Sequence, residues 1–318
     1  MQGWVVPGMG HMGPVLAPTL GRLLGPSIDW FFLLCCLAAA GLYLAGVLRL
    51  RRRGIRWPVL RTVAWLSGVV SILFVTCTGL GSYGMALFSV HMIQHMVLSM
   101  FSPILLLLAA PITLALRAIR PAGRGRTGPR EVIVAVLRSR VARVLTSPVF
   151  TLPLFIASLY GLYFTPLFDL AMGSWLGHHW MLVHFLLVGW IFFWPVMGAD
   201  PAPHRPPHIF RMIELFLAMP FHAFFGIAVM QSATLITTTF AHPPLFWGIN
   251  ALSDQHTGGG IAWAFSEAPT LLVVIALFAQ WISDDERRAR RDDRAADRDG
   301  DAALAAYNAY LARLNRQT

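Results

Sequence analysis

The chain has 318 residues, of which 56% are hydrophobic and only 13% are charged. A soluble domain carries about twice that share of charged residues, so the composition excludes an ordinary soluble protein. The net charge of +10 comes from arginine alone, because the chain contains no lysine. The arginines cluster at the ends of apolar segments. Positive-inside membrane topology explains that distribution better than nucleic-acid binding, so we expect a lipid bilayer and no nucleic acid as partner.

The apolar segments define the predicted architecture. Residues 1–29 are rich in Gly and Pro and are predicted to be an extracytoplasmic leader. A membrane helix needs about 20 predominantly apolar residues. Seven stretches meet or approach that length: about Trp30–Leu48, Thr62–Leu80, Met85–Leu116, Ser147–Phe168, Trp180–Val196, Ile209–Ile236 and Ile261–Ile282. The sequence therefore predicts an all-α integral membrane protein with a seven-helix bundle at 30–282 and a charged tail at 283–318.

Two of these regions carry further signals. The third stretch is too long for one straight crossing, so we expect tilt or kinks at Pro103 and Pro111. The basic segment from Arg117 to Arg143 contains an amphipathic pattern, which predicts a helix lying at the membrane surface. The tail mixes acids and arginines densely and ends in DAALAAYNAYLARLN, which predicts a short amphipathic helix.

The arginines also predict the orientation. Seven spans with the N-terminus outside and the C-terminus in the cytoplasm place every arginine except Arg22 on the cytoplasmic side. The reverse orientation would export nearly all of them. We therefore predict a multi-pass membrane protein. This topology places further histidines in the outer loops: His178, His179, His242 and His256.

The third stretch contains the strongest chemical signal, HMIQHM. His91 and His95 are four residues apart, so they share one face of a helix. Met92 and Met96 repeat that spacing on an adjoining stripe. Imidazole and thioether groups together suit a soft or borderline metal, above all copper, and polar groups within a membrane are usually functional. The alternative is that the histidines only bond neighbouring helices and the methionines only pack.

Other polar groups lie in later spans. His184 is a candidate ligand or an interhelical hydrogen-bonding group. His222 follows Pro220 and is either a ligand or the partner of a carbonyl that the proline frees. Glu267 precedes Pro269 and is either a ligand or a helix-bonded acid. The predicted metal ligands are therefore His91, His95, His184, His222, Met92, Met96 and Glu267.

Motifs for catalysis are not found. HMIQH has methionine where the zinc-protease motif HExxH requires glutamate, and neither a Walker A loop nor a dinucleotide fingerprint occurs. We therefore expect no enzymatic activity. A bis-histidine haem site stays open, because the membrane histidines lie on different helices.

Several motifs in order resemble one family. They are HMIQHM, SPILLLLAAP, the HF…G segment at His184–Gly189, GADPAPHRPP, MPFHAFFG, DQHTGGGIAW with Glu267 and Pro269, and the arginine-rich tail. Together they resemble the CtaG family, the polytopic assembly factors of caa-type cytochrome c oxidase, in its actinobacterial form. His91, His95, His184, His222, Asp254 and Glu267 lie in these motifs, whereas His256 departs from the expected pattern.

The resemblance implies an assembly factor that serves cytochrome c oxidase subunits. Its expected task is to place copper at the outward-facing two-copper centre or in the membrane subunit of the oxidase. Three alternatives remain open at this point: a haem-binding membrane redox protein, a copper permease, and a chaperone that holds an apo subunit without metal.

Overall fold

The structure is a computed structural model that describes residues 16–123, 126–203, 206–299 and 302–316. Helices make up the regular structure of these ranges, and none of them contains a strand. The fold is therefore all-α, as predicted. The first 15 residues of the expected leader lie outside the described ranges.

The chain divides into two units, Met1–Val273 and Val274–Thr318. In chain order the helices are α1 (Leu20–Leu23), α2 (Trp30–Arg51), α3 (Val59–Thr76), α4 (Gly79–Tyr83), α5 (Phe88–Met96), a π-helical turn (Val97–Phe101), α6 (Ser102–Leu108), α7 (Pro111–Ala118), α8 (Pro129–Arg138), α9 (Arg140–Leu145), α10 (Pro148–Tyr163), α11 (Leu167–Met172), α12 (Trp175–Met197), α13 (His208–Gln231), a 3-10 turn (Leu245–Trp247), α14 (Ala251–Asp299) and α15 (Ala302–Leu314).

Six helical segments of the described chain are long and apolar enough to cross a membrane. They are Trp30–Arg51, Val59–Thr76, Phe88–Ala118, Trp175–Met197, His208–Gln231 and Ala251–Arg298. The predicted fourth span is represented by the shorter apolar helix Pro148–Tyr163. It ends early because Pro166 cannot continue an α-helix, and the chain resumes as the separate α11.

The third apolar stretch is one long helical segment with interruptions at its two prolines. Pro103 lacks an N–H group and cannot donate to the carbonyl of Ser99, and the α5 helix widens into the π-helical turn just before it. A second break occurs at Ala110, which adopts a left-handed conformation with φ 51° immediately before Pro111. The regular α-helix is thus interrupted near both prolines, where tilt or kinks were predicted.

The interrupted helix lies at the centre of the first unit. α6 packs against α3, and α12 packs against both α6 and the π-helical turn. Gly189 makes this last approach close, because a Cβ atom at that position would lie 2.0 Å from the carbonyl oxygen of Ser99. Any side chain here would separate α12 from the π-helical turn.

Two expected loops are partly helical. The structure places His178 and His179 inside α12, because Ser174 caps the helix by accepting a hydrogen bond from the Gly177 N–H at 3.0 Å. His256 likewise lies in α14 rather than in a loop. The prediction that these three histidines occupy outer loops is therefore wrong.

Two carboxylates outside the spans connect distant segments. Asp169 accepts hydrogen bonds from the backbone and hydroxyl groups of Thr238 and Thr239 at 2.6–3.1 Å. Burial raises its pKa, but these hydrogen bonds outweigh burial and leave the pKa below its usual value. Asp200 accepts from the N–H groups of Ile112 and Thr113 at the start of α7. Burial raises the pKa of Asp200.

The basic segment forms two helices rather than one. α8 and α9 meet at Ser139, whose side chain caps α9 by accepting from the Ala142 N–H at 3.0 Å. In the second unit, the predicted terminal helix is present as α15. Arg287 pairs with Asp284 at 3.6 Å on the exposed, charged part of α14, a weak contact of the kind common on solvated helices.

Candidate metal-binding site

Three predicted histidines lie close together in the interior of the first unit. His91 and His95 are on α5 and His222 is on α13, and their side chains are 0%, 3% and 2% exposed. The ring centres of His95 and His222 are 6.4 Å apart. The fold therefore brings side chains from two separate helices, more than 120 residues apart in sequence, into one group. We refer to His91, His95 and His222 as the histidine cluster.

The histidine cluster is surrounded by aromatic rings. The ring of Phe185 lies 4.2 Å from that of His95, and the ring of Phe168 lies 5.0 Å from that of His91, both in edge-on arrangements. Phe155 lies 5.9 Å from His222. Such rings exclude water and strengthen any electrostatic or ligand bond formed among the imidazoles.

Most ring nitrogens of the cluster are buried without a partner. Among the described residues, Nδ1 of His91, Nδ1 of His95 and both nitrogens of His222 have no hydrogen-bond partner. His91 Nε2 does have a partner, because it lies 2.9 Å from the hydroxyl oxygen of Tyr163. A buried polar group without a partner costs about 1–3 kcal/mol. Four such nitrogens within one cluster call for a function beyond packing.

The hydrogen-bond pattern at His91 resembles that of a metal ligand. A ligating histidine usually donates its second ring N–H to a fixed partner, which orients the first nitrogen toward the metal. Donation from Nε2 to Tyr163 would leave the Nδ1 lone pair of His91 open. Tyr163 is itself fully buried and is stacked on Phe168 with ring centres 5.0 Å apart.

Thioether groups accompany the cluster. Met92 and Met96 are fully buried on the same helix as His91 and His95. A small cavity of about 10 Å³ lies beside His222 and is also lined by Met100 and Met219. Imidazole and thioether donors in a dry interior match the preferences of Cu(I).

The other two predicted ligands lie elsewhere. Nε2 of His184 lies 2.7 Å from the hydroxyl of Ser158, and the ring lines an apolar groove between α10, α11 and α12. Glu267 is on α14 with an exposed side chain. The structure does not gather these two groups into the histidine cluster.

The histidine cluster contains suitable donor atoms for a metal, but these atoms are not yet arranged as a complete coordination shell. Within the described ranges, no three His, Cys, Asp or Glu side chains already stand at metal-holding geometry. The open ring nitrogens and nearby sulfurs supply the required chemistry, and side-chain rotation must complete the shell.

Two residues of this site were missed by sequence reasoning. Tyr163 contacts His91 from a helix that begins more than 50 residues later, and no local pattern announces that contact. Met219 was within reach, because it precedes His222 by three residues and so shares its helical face.

Comparison with known proteins identifies a family. The family model described as "Cytochrome c oxidase caa3 assembly factor (Caa3_CtaG)" matches residues 41–284. A protein of Mycobacterium bovis and one of Mycobacterium tuberculosis, both described as uncharacterized, are each 47% identical over 307 residues, covering 94% of this chain and 46% of theirs. A third, from Mycobacterium leprae, is 49% identical over 277 residues, covering 86% of this chain and 42% of its own.

The chain thus spans less than half the length of these curated relatives. No solved structure matches it.

Proposed function

Since the chain belongs to the caa3 assembly factor family of cytochrome c oxidase, we propose that it holds copper on the histidine cluster and delivers it to an oxidase subunit. The coarser role in oxidase assembly comes from the family. The copper step, the ligands and the recipient subunit are the proposal.

The unpartnered ring nitrogens carry the proposal. If His91, His95 and His222 served only to form hydrogen bonds, their buried ring nitrogens would have partners. Four of these nitrogens have none among the described residues. Copper bound through these nitrogens would offset the cost of burying them. Met92, Met96, Met100 and Met219 supply thioethers that can exchange as ligands during transfer.

The ligand type suits transfer rather than storage. Thiolates would hold Cu(I) too tightly to release it, whereas imidazole and thioether donors bind it without trapping it. The cysteines of the described chain are free, and none belongs to the cluster. The role is delivery by ligand exchange, without a catalytic step. In this proposal His184 and Glu267 lie outside the copper ligands.

The proposed topology has seven crossings in a bacterial plasma membrane, with the N-terminus outside. Helix α10 is the fourth of these crossings and, with 16 residues, spans about 24 Å. Local thinning of the bilayer or the adjoining turns let its ends reach the membrane interface. The ends at which α2, α5 and α12 begin then face outward. Copper reaches the cluster from that side.

The test is elemental analysis with an optical spectrum of detergent-purified protein loaded with Cu(I). The wild-type protein should bind about one more copper ion per chain than His91→Ala/His95→Ala does. His184→Ala is the matched control, since it removes a membrane histidine outside the cluster. It should keep its copper.

Three results would overturn the proposal. Equal copper in the wild-type and double-variant chains would exclude the cluster as the copper site. A Soret band lost in the double variant would favour the haem-binding alternative instead. Copper uptake into proteoliposomes would favour the permease.

A further inference from the structure

A second polar site lies at the end of the bundle where α2 and α12 begin. It is a cavity of about 300 Å³. Its lining includes Asp29, His178, His179, Gln94 and Met85. We call it the outer pocket. It shares no residue with the histidine cluster, although Gln94 lies between His91 and His95 on α5.

The core of the outer pocket is the hydrogen-bonded ion pair between His179 and Asp29. Nδ1 of His179 lies 2.9 Å from the carbonyl oxygen of Trp175, which can only accept a hydrogen bond. Nδ1 must therefore carry the hydrogen. Nε2 of the same ring donates a hydrogen bond to Oδ2 of Asp29 at 2.7 Å, because a carboxylate oxygen can only accept. A metal ion that displaced the Nε2 proton would meet a ring already anchored through Nδ1 to a backbone carbonyl, which is the orientation usual for metal-binding histidines.

Asp29 divides its two oxygens between two tasks. Oδ1 accepts from the N–H of Phe32 at 3.1 Å and caps α2. Oδ2 faces the pocket, and the carboxylate side chain is 25% exposed whereas His179 is 8% exposed. The pair can therefore be reached from solvent at its carboxylate end and is held by protein at its imidazole end.

Two further polar atoms line the pocket without partners in the described chain. They are Nε2 of His178 and Oε1 of Gln94, on side chains that are 5% and 0% exposed. The rings of His178 and His179 have centres 5.7 Å apart. That spacing is small enough for a rotation of His178 to bring its Nε2 toward an ion bound at His179.

We propose that the outer pocket is a second metal site, which binds one Cu²⁺ ion through His179 Nε2 and Asp29 Oδ2, with His178 Nε2 as the third donor. Imidazole and carboxylate donors favour a borderline divalent cation over Cu(I). Cu²⁺ binds such nitrogen and oxygen sites most tightly among the first-row divalent ions. The outer pocket and the histidine cluster thus differ in the oxidation state that they prefer.

The experiment is a Cu²⁺ titration of the full-length His91→Ala/His95→Ala chain, followed by electron paramagnetic resonance. This background removes the histidine cluster, so the outcome does not depend on the copper-delivery proposal. One Cu²⁺ per chain with nitrogen hyperfine structure is expected. Adding His179→Gln should lower the Cu²⁺ affinity at least about 10-fold. Removing the group that orients a ligand lowers metal affinity by about that factor, and removing the ligand itself should cost at least as much.

Asp29→Asn separates binding from folding. Asparagine caps helices as well as aspartate does, so α2 should remain intact while the carboxylate donor is lost. Its Cu²⁺ affinity should also fall at least about 10-fold, in protein that still unfolds cooperatively in the absence of metal.

His242→Gln removes an exposed loop histidine and His11→Gln removes the leader histidine. Neither change should alter the affinity of the outer pocket. Equal Cu²⁺ affinity in the parent and His179→Gln chains would overturn the proposal, and so would loss of the signal on His242→Gln or His11→Gln.

Discussion

Replacing Tyr163 with phenylalanine tests how the histidine cluster is oriented. The change removes one hydroxyl and keeps the ring, which packs against Phe168 and Phe225 with centres 5.0 and 5.2 Å away. The hydroxyl lies 2.9 Å from Nε2 of His91. After the change, neither nitrogen of His91 has a protein partner among the described residues.

Two effects follow, and they have separate magnitudes. Leaving the buried Nε2–H of His91 without a partner should lower the free energy of unfolding by about 1–3 kcal/mol. Losing the group that orients a ligating histidine lowers metal affinity by about 10–100-fold. If Nδ1 of His91 binds copper, Tyr163→Phe should therefore weaken Cu(I) binding by about 10-fold or more.

The assay is competition for Cu(I) against a chromophoric chelator in detergent, with thermal unfolding measured on the same samples. Tyr160→Phe is the matched control, because its hydroxyl lies on the same helix and donates to the carbonyl of Phe221 at 2.8 Å, away from His91. It should leave Cu(I) affinity unchanged. If Tyr163→Phe lowered the unfolding temperature but left Cu(I) affinity within about 2-fold of wild type, the hydroxyl would not orient a copper ligand and its bond to His91 would be structural.

Three further changes probe the scaffold. Gly189→Ala should destabilise the protein by about 1–3 kcal/mol, because the added Cβ would lie 2.0 Å from the Ser99 carbonyl oxygen. Gly161→Ala is the control and should not destabilise the protein, because its added Cβ would have nothing within 4 Å. Equal unfolding temperatures of the two variants would contradict this prediction. Asp169 has a lowered pKa, so its stabilisation is present above its unfolded pKa of 3.8 and is lost as pH falls through the folded pKa. The difference in unfolding temperature between wild type and Asp169→Asn should therefore shrink in acid, and a constant difference would count against it. Asp200→Ala should cost about 1–2 kcal/mol by uncapping α7, and Asp200→Asn less, in the same unfolding measurement.

The helices and their breaks were largely readable from the sequence. Apolar length located the membrane segments, and Pro103 and Pro111 located the two interruptions of the third, because a missing N–H group is a local property. The start of α12 was not readable. The segment WLGHH is polar enough to suggest a loop, but the cap at Ser174 extends the helix over His178 and His179.

The candidate sites were only partly readable for a different reason. The i, i+4 spacing of His91 and His95 is local and visible. The rotation of α13 about its axis, which turns His222 toward these two histidines, depends on how α13 packs. Residue spacing within α13 does not predict that rotation. The pairing of Asp29 with His179 joins residues 150 positions apart, and the sequence assigned Asp29 to the leader. Tertiary packing, rather than any motif, created the outer pocket.

Copper delivery by the histidine cluster can be measured in the copper content of the oxidase itself. A host lacking its own family member would express either the wild-type chain or His91→Ala/His95→Ala, at equal levels in the membrane, and its oxidase would be purified. If the histidine cluster delivers copper, the oxidase should keep its haem but lose copper when only the double variant is present. An oxidase with full copper from those cells would contradict it.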